Sequence, residues 1–143
     1  MSTGPEAVLL DTCAVIWLAN GDPLDSGAES AIMQAALAEG VFVSAISAWE
    51  IGMLSRPKAG RAIQFLPDPA TWFARFTAGP AIKSAAFNGE IAIAASLLPE
   101  PLHGDPADRL LIATARHLGL PIVTRDAKII AYADAGHVQA IAC

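Results

Sequence analysis

The segment Ala7-Val8-Leu9-Leu10-Asp11-Thr12 places four consecutive apolar residues directly before an acidic residue. An apolar run without polar alternation is typical of a strand that is buried on both faces of a parallel sheet. Comparable segments predict strands at residues 41–44, 122–124 and 138–141, and a fifth strand is predicted at 81–83. We therefore expect a central parallel sheet that is covered on both sides.

Helical patterns separate the predicted strands along the chain. They cover residues 12–19, 28–39, 47–54, 69–76, 88–98, 106–118 and 127–133. Strands that alternate with helices indicate the α/β class, with right-handed crossovers between parallel strands. The 143 residues contain no long linker and no repeat, so we predict a single domain over residues 1–143, with helices on both faces of the sheet.

The composition argues against a disordered or membrane-spanning chain. Apolar residues make up 54% and charged residues 16% of the sequence, which is typical of elements buried on more than one side. The longest apolar run, at 91–98, is interrupted by Ser96 and is far shorter than the roughly 18 residues that a membrane span needs. The first six residues lack the basic residue of a secretory leader, so we expect a cytoplasmic protein with no membrane partner.

The net charge limits the choice of partners. Nine Lys and Arg residues against fourteen Asp and Glu residues give a net charge of −5 at pH 7. This is the wrong sign for a protein that merely coats nucleic acid by neutralising phosphates. Either nucleic acid is not the partner, or cations occupy some of the carboxylates.

Four acidic residues are predicted to lie at one edge of the sheet. In an open parallel sheet, ligands bind at the carboxyl ends of the strands. Asp11 directly follows the first predicted strand, and Asp126 follows the fourth. Glu50 lies in the helix that leaves the second strand, and Asp108 lies in the first turn of the helix at 106–118. We expect all four side chains near the same point.

Each acid also has a purely structural interpretation. Asp11 and Asp126 could serve as helix N-caps. Glu50 could close an S-x-x-E capping box with Ser47, and Asp108 could stabilise the first turn of its helix. Capping explains why each acid begins a helix, but not why all four helices begin around one point. Ionised carboxylates at such a point repel one another, and a divalent cation removes that conflict.

The oxygen-only donor set favours a hard cation. Oxygen ligands without His or Cys prefer Mg²⁺ or Mn²⁺ to zinc, and Cys13 and Cys143 belong to no metal-binding motif. Such ions can lower the pKa of a bound water and stabilise charge on a phosphodiester. The chain has no GxxxxGK[ST], GxGxxG or GxSxG motif, which argues against nucleotide binding and α/β-hydrolase chemistry.

Four motifs carry these acids in a distinctive order. They are Leu9-Leu10-Asp11-Thr12, Ser47-Ala48-Trp49-Glu50-Ile51, His103-Gly104-Asp105-Pro106-Ala107-Asp108-Arg109-Leu110-Leu111-Ile112-Ala113-Thr114-Ala115 and Ile122-Val123-Thr124-Arg125-Asp126. Their order and spacing closely resemble PIN domains, and among these the VapC toxins of bacterial toxin–antitoxin (VapBC) pairs. The resemblance extends from about Val8 to the C-terminus, and no expected acid is missing.

The resemblance implies both a fold and an activity. It implies a three-layer α/β/α PIN-like fold with a central parallel sheet, and an Mg²⁺- or Mn²⁺-dependent endoribonuclease with a metal-activated water as nucleophile. Its catalytic and metal-binding acids would be Asp11, Glu50, Asp108 and Asp126. Such toxins usually cut structured RNA, often tRNA or rRNA. They are typically homodimers and are held inactive by a cognate VapB-type antitoxin.

Further polar residues near the predicted edge are candidates for supporting roles. Thr12 and Thr124 could orient a carboxylate or a water, or satisfy backbone groups at the strand ends. His103 is interpreted as a solvated loop residue. Basic residues could contact RNA phosphates, with solvated side chains or local ion pairs as the alternative. These basic residues are Arg56, Lys58, Arg61, Arg109 and Arg125.

The aromatic residues of the predicted helices are interpreted as core or interface residues in preference to base-stacking residues. These are Trp17, Trp49, Trp72 and Phe73. We predict that Trp72 and Phe73 contact the antitoxin or a second protomer.

Two other functions remain open at this point. One is a non-catalytic PIN-like binding module that acts through a protein partner, with its acids serving as helix caps. The other is a phosphatase of small metabolites. Saturable Mn²⁺ binding that depends on Asp11 or Asp126 would favour the nuclease over the binding module.

Overall fold

The sheet contains five parallel strands, as predicted. In the computed structural model, which describes residues 4–57 and 62–143, they are β1 (Ala7–Leu10), β2 (Gly40–Val43), β3 (Ile82–Ser84), β4 (Ile122–Thr124) and β5 (Ala140–Ala142). Their order across the sheet is β3-β2-β1-β4-β5, and every neighbouring pair is parallel. The α/β class is therefore confirmed, with β1 at the centre of the sheet.

Helices occupy the connections between the strands. They are α1 (Thr12–Asn20), α2 (Ser26–Leu37), α3 (Ala45–Leu54), α4 (Pro69–Thr77), α5 (Gly89–Ser96), α6 (Pro106–Leu118) and α7 (Ala127–Asp134). The bounds of β1, β4 and α6 are those predicted. The helix predicted from residue 28 begins two residues earlier, because the side chain of Asp25 caps it by accepting a hydrogen bond from the Gly27 N–H (2.9 Å). Within the described residues, no helix combines the length and apolar character that crossing a membrane requires.

The start of α3 differs from the prediction. Ser44, predicted to end the second strand, instead caps α3, and its side chain accepts a hydrogen bond from the Ile46 N–H (3.0 Å). The helix therefore begins two residues before Ser47, the predicted start. Ser47 is not an N-cap, so the alternative in which Glu50 closes a capping box with Ser47 is wrong.

Hydrophobic cores lie on both faces of the sheet. Successive residues of a strand point to opposite faces, and all four residues of β1 are buried. Val8 and Leu10 pack in one cluster with residues of α1, α2, α3 and α4. Leu9 packs in a second cluster with residues of α5, α6 and α7. Two cores separated by one sheet give the predicted three-layer α/β/α arrangement.

The junction between β1 and β4 fixes the position of the candidate site. The chain runs from β1 outward to β2 and β3 on one side, and from β4 to β5 on the other, so the connections diverge here. Ligands of open α/β sheets bind outside the carboxyl ends of the strands at such a switch point. The backbone N–H of Asp11 donates to the carbonyl of Val123 (3.1 Å), so the end of β1 lies beside the end of β4.

Candidate active site

A cavity of about 320 Å³ opens at the carboxyl ends of β1 and β4. All four predicted acids line it, although they come from four separate places in the sequence. The lining residues are Asp11, Thr12, Cys13, Trp17, Glu50, Asp108, Arg125 and Asp126. The structure therefore brings the predicted acids together at one place.

Asp11 is the most buried of the four acids. It is 6% exposed and caps α1, with its carboxylate accepting a hydrogen bond from the Ala14 N–H (2.8 Å). Burial raises the pKa of Asp11 from 3.8 to about 6, and the nearby charges of Asp108 and Asp126 raise it further. Hydrogen bonds from Thr124 and Ala14 oppose this rise. Asp11 is thus a helix cap and a charged group of the cavity at the same time.

Asp126 caps α7 in the same way. Its carboxylate accepts hydrogen bonds from the backbone N–H groups of Lys128 (2.7 Å) and Ile129 (3.2 Å). Its own N–H donates to the hydroxyl oxygen of Thr124 (3.0 Å). Because the fully buried Thr124 hydroxyl also stabilises the ionised form of Asp11, this one side chain connects both strand-end acids.

Glu50 takes no part in capping its helix. Its Oε1 is hydrogen bonded to the hydroxyl of Thr12, which lies 3.0 Å from the hydroxyl of Ser47. Burial is the main cause that raises the pKa of Glu50, and the neighbouring acids Asp108, Asp105 and Asp11 add to it. The hydrogen bond from Thr12 lowers this pKa. Thr12 therefore orients Glu50 and favours its ionised form.

Asp108 is held by two neighbours in the sequence. Its Oδ2 lies 2.8 Å from Nε2 of His103, and its N–H donates to the side chain of Asp105 (3.0 Å), the N-cap of α6. Burial raises the pKa of Asp108, and the hydrogen bond with His103 opposes the rise. The interpretation of His103 as a solvated loop residue is wrong, since its side chain is only 15% exposed.

Asp105 is a fifth carboxylate close to the site. The sequence pattern of residues 105–108 is typical of a helix start and indicates no further role for Asp105. Its charge contributes to the raised pKa of both Glu50 and Asp108. The motif Asp105-Pro106-Ala107-Asp108 contained the information that could have found it, because two acids three residues apart in a first helical turn lie on adjacent positions.

The donor set fits a hard divalent cation in its chemistry. Carboxylate oxygens are the ligands that Mg²⁺ and Mn²⁺ prefer, and burial together with mutual repulsion raises the pKa of Asp11, Glu50 and Asp108. Over residues 4–57 and 62–143, however, no three acidic, His or Cys side chains form a ready-made metal site. Each acid is instead held by its own hydrogen-bond partner.

The predicted basic residues are divided between several environments. Arg125 lines the cavity, with its Cζ 3.8 Å from the ring centroid of Trp17 and its Nε donating to the carbonyl of Cys143 (2.7 Å). Arg56 is exposed just beyond the end of α3. The other two residues of that basic group, Lys58 and Arg61, lie outside the described residues.

Arg109 is engaged away from the cavity. Its Nε donates to the carbonyl of Ala95 (3.1 Å), and Nη1 and Nη2 lie 3.4 Å from the Glu100 carboxylate. This geometry favours the ion-pair alternative over an RNA contact for Arg109.

The aromatic residues of α4 pack inward. The ring of Trp72 lies 4.9 Å from that of Phe65 and 6.3 Å from that of Phe76, and both Trp72 and Phe73 pack against the first core. Both side chains nevertheless remain partly exposed, so the contact with the antitoxin or a second protomer stays a prediction. Trp49, next to Glu50, is instead the tryptophan on the surface, at 59% exposed.

Comparison with known proteins agrees with this geometry. The family model described as PIN domain matches residues 8–135. The chain is 32% identical over 123 residues to Ribonuclease VapC22 of Mycobacterium tuberculosis (strain ATCC 25618 / H37Rv). The aligned region covers 85% of this chain and 88% of that protein.

Two solved structures share the fold. VapBC2 from Rickettsia felis, bound to a DNA fragment from its promoter, matches with a TM-score of 0.66 at 14% identity, over 95% of this chain and 98% of that chain. VapBC-5 from Mycobacterium tuberculosis matches with a TM-score of 0.58 at 19% identity, over 97% of this chain and 100% of that chain. The match of the family model and the 32% identity together show that this chain belongs to the PIN domain family, among its VapC members.

Proposed function

We propose that the protein is the toxin of a VapBC-type toxin–antitoxin pair and acts as an Mg²⁺- or Mn²⁺-dependent endoribonuclease. The observation that carries this proposal is the cavity at the β1–β4 junction, where acids from four places in the sequence lie together. Capping accounts for the place of Asp11 and Asp126, but not for Glu50, which caps no helix. The name of the 32% identical relative, a ribonuclease, supports the same activity.

The cation would be held by Asp11, Glu50, Asp108 and Asp126. When bound, it would supply an activated water nucleophile and positive charge that offsets the charge developing on the scissile phosphate. The same charge would relieve the repulsion among the acids that raises the pKa of Asp11. It would also let a protein with a net charge of −5 bind RNA.

The side chains around the acids prepare the site. Thr12 orients the Glu50 carboxylate, and Thr124 holds Asp11 and the backbone of Asp126 together. Because Asp11 is 6% exposed, electrostatic interactions at its carboxylate are stronger than they would be in bulk water.

Arg125 is our choice for the RNA phosphate contact. Its guanidinium is held in place by the Trp17 ring and by the Cys143 carbonyl, so it is oriented before RNA binds. The loop residues Arg56, Lys58 and Arg61 would extend this contact along the RNA backbone. Arg109 is left out of this proposal because its guanidinium is paired with Glu100.

The names of the structural relatives support the choice of protein partner. We propose a VapB-type antitoxin as the protein partner, a homodimer as the assembly, structured tRNA or rRNA as the substrate, and the cytoplasm as the location. The two structural relatives carry the name VapBC, and one of them is described as a member of a family of toxin–antitoxin systems.

Cleavage of total cellular RNA by the purified protein tests the activity. We expect fragments with Mn²⁺ or Mg²⁺, none with EDTA, and none from Asp11→Asn. Asp134→Asn, at the exposed end of α7, is the matched control and should cleave at the parent rate. Parent-level cleavage by Asp11→Asn would refute the assignment.

One observation favours a second candidate, the non-catalytic binding module. Each acid has its own hydrogen-bond partner, and within the described residues none of the acids are arranged as a ready-made metal site. Titration of Mn²⁺ into the protein separates the two functions, because a binding module whose acids are only caps should show no saturable binding that depends on Asp11 or Asp126.

A further inference from the structure

The pair formed by His103 and Asp108 lies at the margin of the cavity and is well shielded from solvent. The Nε2–Oδ2 distance is 2.8 Å, and the two side chains are 15% and 20% exposed. An ionised carboxylate only accepts hydrogen bonds, so Nε2 carries the proton and donates it. This contact holds Oδ2 of Asp108 and thereby limits rotation of the carboxylate about χ1 and χ2.

The second ring nitrogen of His103 makes no hydrogen bond within the described residues. This atom, Nδ1, is buried. A buried polar atom without a partner costs free energy, so hydrogen bonding by Nδ1 does not explain why the ring lies here. The contact with Asp108 is the interaction that accounts for the place of the ring.

The loop that carries His103 is fastened to the helices on either side. The side chain of Glu100 accepts a hydrogen bond from the Leu102 N–H (2.9 Å), and Leu102 packs against the second core. Glu100 also pairs with Arg109, whose Nε donates to the carbonyl of Ala95 on α5. Because Arg109 directly follows Asp108 on α6, the same network fixes both members of the pair relative to each other.

We propose that His103 is a positioning residue that fixes the orientation of the Asp108 carboxylate toward the cavity. Arg109, Glu100 and Leu102 act through the loop to hold the imidazole in place. The consequence for cation binding rests on the proposed nuclease function, whereas the orientation of Asp108 does not. Partners that orient a metal-binding carboxylate typically change metal affinity or activity by about 10- to 100-fold when they are removed.

Three variants test the proposal. His103→Leu replaces the imidazole with an apolar side chain of similar bulk and removes the donor, and His103→Gln supplies an N–H donor at a similar distance from the backbone. His117→Ala, an exposed histidine on α6, is the matched control. For each we measure the χ1 couplings of Asp108 by NMR in EDTA, the Mn²⁺ dissociation constant without RNA, and kcat and KM for RNA cleavage.

We expect His103→Leu to give averaged χ1 couplings at Asp108 and a dissociation constant for Mn²⁺ that is about 10-fold higher or more. We expect kcat to fall while KM for RNA stays unchanged, since His103 does not line the cavity. His103→Gln should recover the couplings and most of the affinity, and His117→Ala should match the parent.

The couplings separate this proposal from the nuclease proposal. Unchanged Asp108 couplings in His103→Leu overturn the positioning role, whatever the activity is. Equal impairment of His103→Leu and His103→Gln also overturns it, because a lost donor would then not be the cause. If the parent neither binds Mn²⁺ nor cleaves RNA, the nuclease proposal fails while the couplings still decide the role of His103.

Discussion

The hydroxyl of Thr12, at the first position of α1, is hydrogen bonded to the carboxylate of Glu50 on α3. The contact joins the helix that follows β1 to the helix that follows β2. Burial raises the pKa of Glu50, and the Thr12 hydroxyl counteracts this effect. Thr12 thus belongs to the electrostatics of the cavity although it is not itself charged.

Removing this hydroxyl should move the pH dependence of cleavage. We expect Thr12→Val to raise the pKa of Glu50 further, so that the acidic limb of the pH–rate profile shifts to higher pH. Thr12→Ser should retain the parent profile, and Thr77→Val on α4, far along the chain from the acids, is a control for loss of a threonine hydroxyl. Identical profiles for Thr12→Val and the parent would contradict the role.

The raised pKa of Asp11 predicts a specific pH dependence of stability. The folded state binds the Asp11 proton more tightly than the unfolded chain, with a pKa of about 6 against 3.8. Its contribution is therefore fully present below pH 3.8 and is lost as the pH rises through about 6. The difference between these two pKa values corresponds to about 3 kcal/mol of unfolding free energy at most.

Asp11→Asn should therefore stabilise the metal-free protein at pH 7.5, while retaining a residue that can cap α1. Urea unfolding in EDTA at pH 4 and pH 7.5 measures the effect, with Asp134→Asn as the control. A variant that is no more stable than the parent at pH 7.5 would show that the folded protein does not disfavour the Asp11 charge.

Cation binding should reverse this loss of stability. Because a ligand that binds only the folded state stabilises it, Mn²⁺ at about 100 times its dissociation constant should add roughly 2.7 kcal/mol to the parent. The gain should be absent from Asp11→Asn and present in Asp134→Asn. A thermal unfolding midpoint that does not respond to Mn²⁺ in the parent would favour the non-catalytic binding module.

Arg125 should contribute to RNA binding through charge and through its planar shape. We expect Arg125→Leu to weaken RNA binding and to reduce the slope of log K against log salt by about 1. Arg125→Lys should retain the slope with weaker affinity, since lysine lacks the planar group that lies over Trp17. Arg75→Leu, on the exposed side of α4, is the control and should leave both unchanged.

The bounds of helices and strands were predicted most accurately where the residues of the element itself determine where it begins and ends. β1 is an uninterrupted apolar run, β4 consists of two apolar residues and the buried Thr124, and α6 has a proline at its first position and a glycine after its last. The bounds of these elements could be predicted from the sequence because the terminal residues and the hydrophobic pattern indicate the same start and end. The gathering of the four acids was also predictable from topology, since Asp11, Glu50 and Asp126 follow the carboxyl ends of β1, β2 and β4, and Asp108 lies at the start of α6, which leads into β4.

The contacts between side chains could not be predicted in the same way. Ser44 and Ser47 are both suitable caps for α3, and the choice depends on how far β2 pairs with β1, which is not a local property. His103 lies in a loop of no regular structure, and its contact with Asp108 joins that loop to α6. Trp72 lies in an amphipathic helix, and its contact with Phe65, which precedes that helix, could not be read from the helical pattern.

The double role of Asp11 and Asp126 has a practical consequence for mutagenesis. Each carboxylate starts a helix as well as lining the cavity, so alanine scanning would mix two effects. Alanine at an N-cap costs about 1 kcal/mol of folding free energy by itself, whereas asparagine caps almost as well as aspartate. Under the proposed nuclease function, we expect asparagine at these positions to give an inactive but well-folded protein, suitable as bait for an intact RNA or for preparing an antitoxin complex without harm to the expression host.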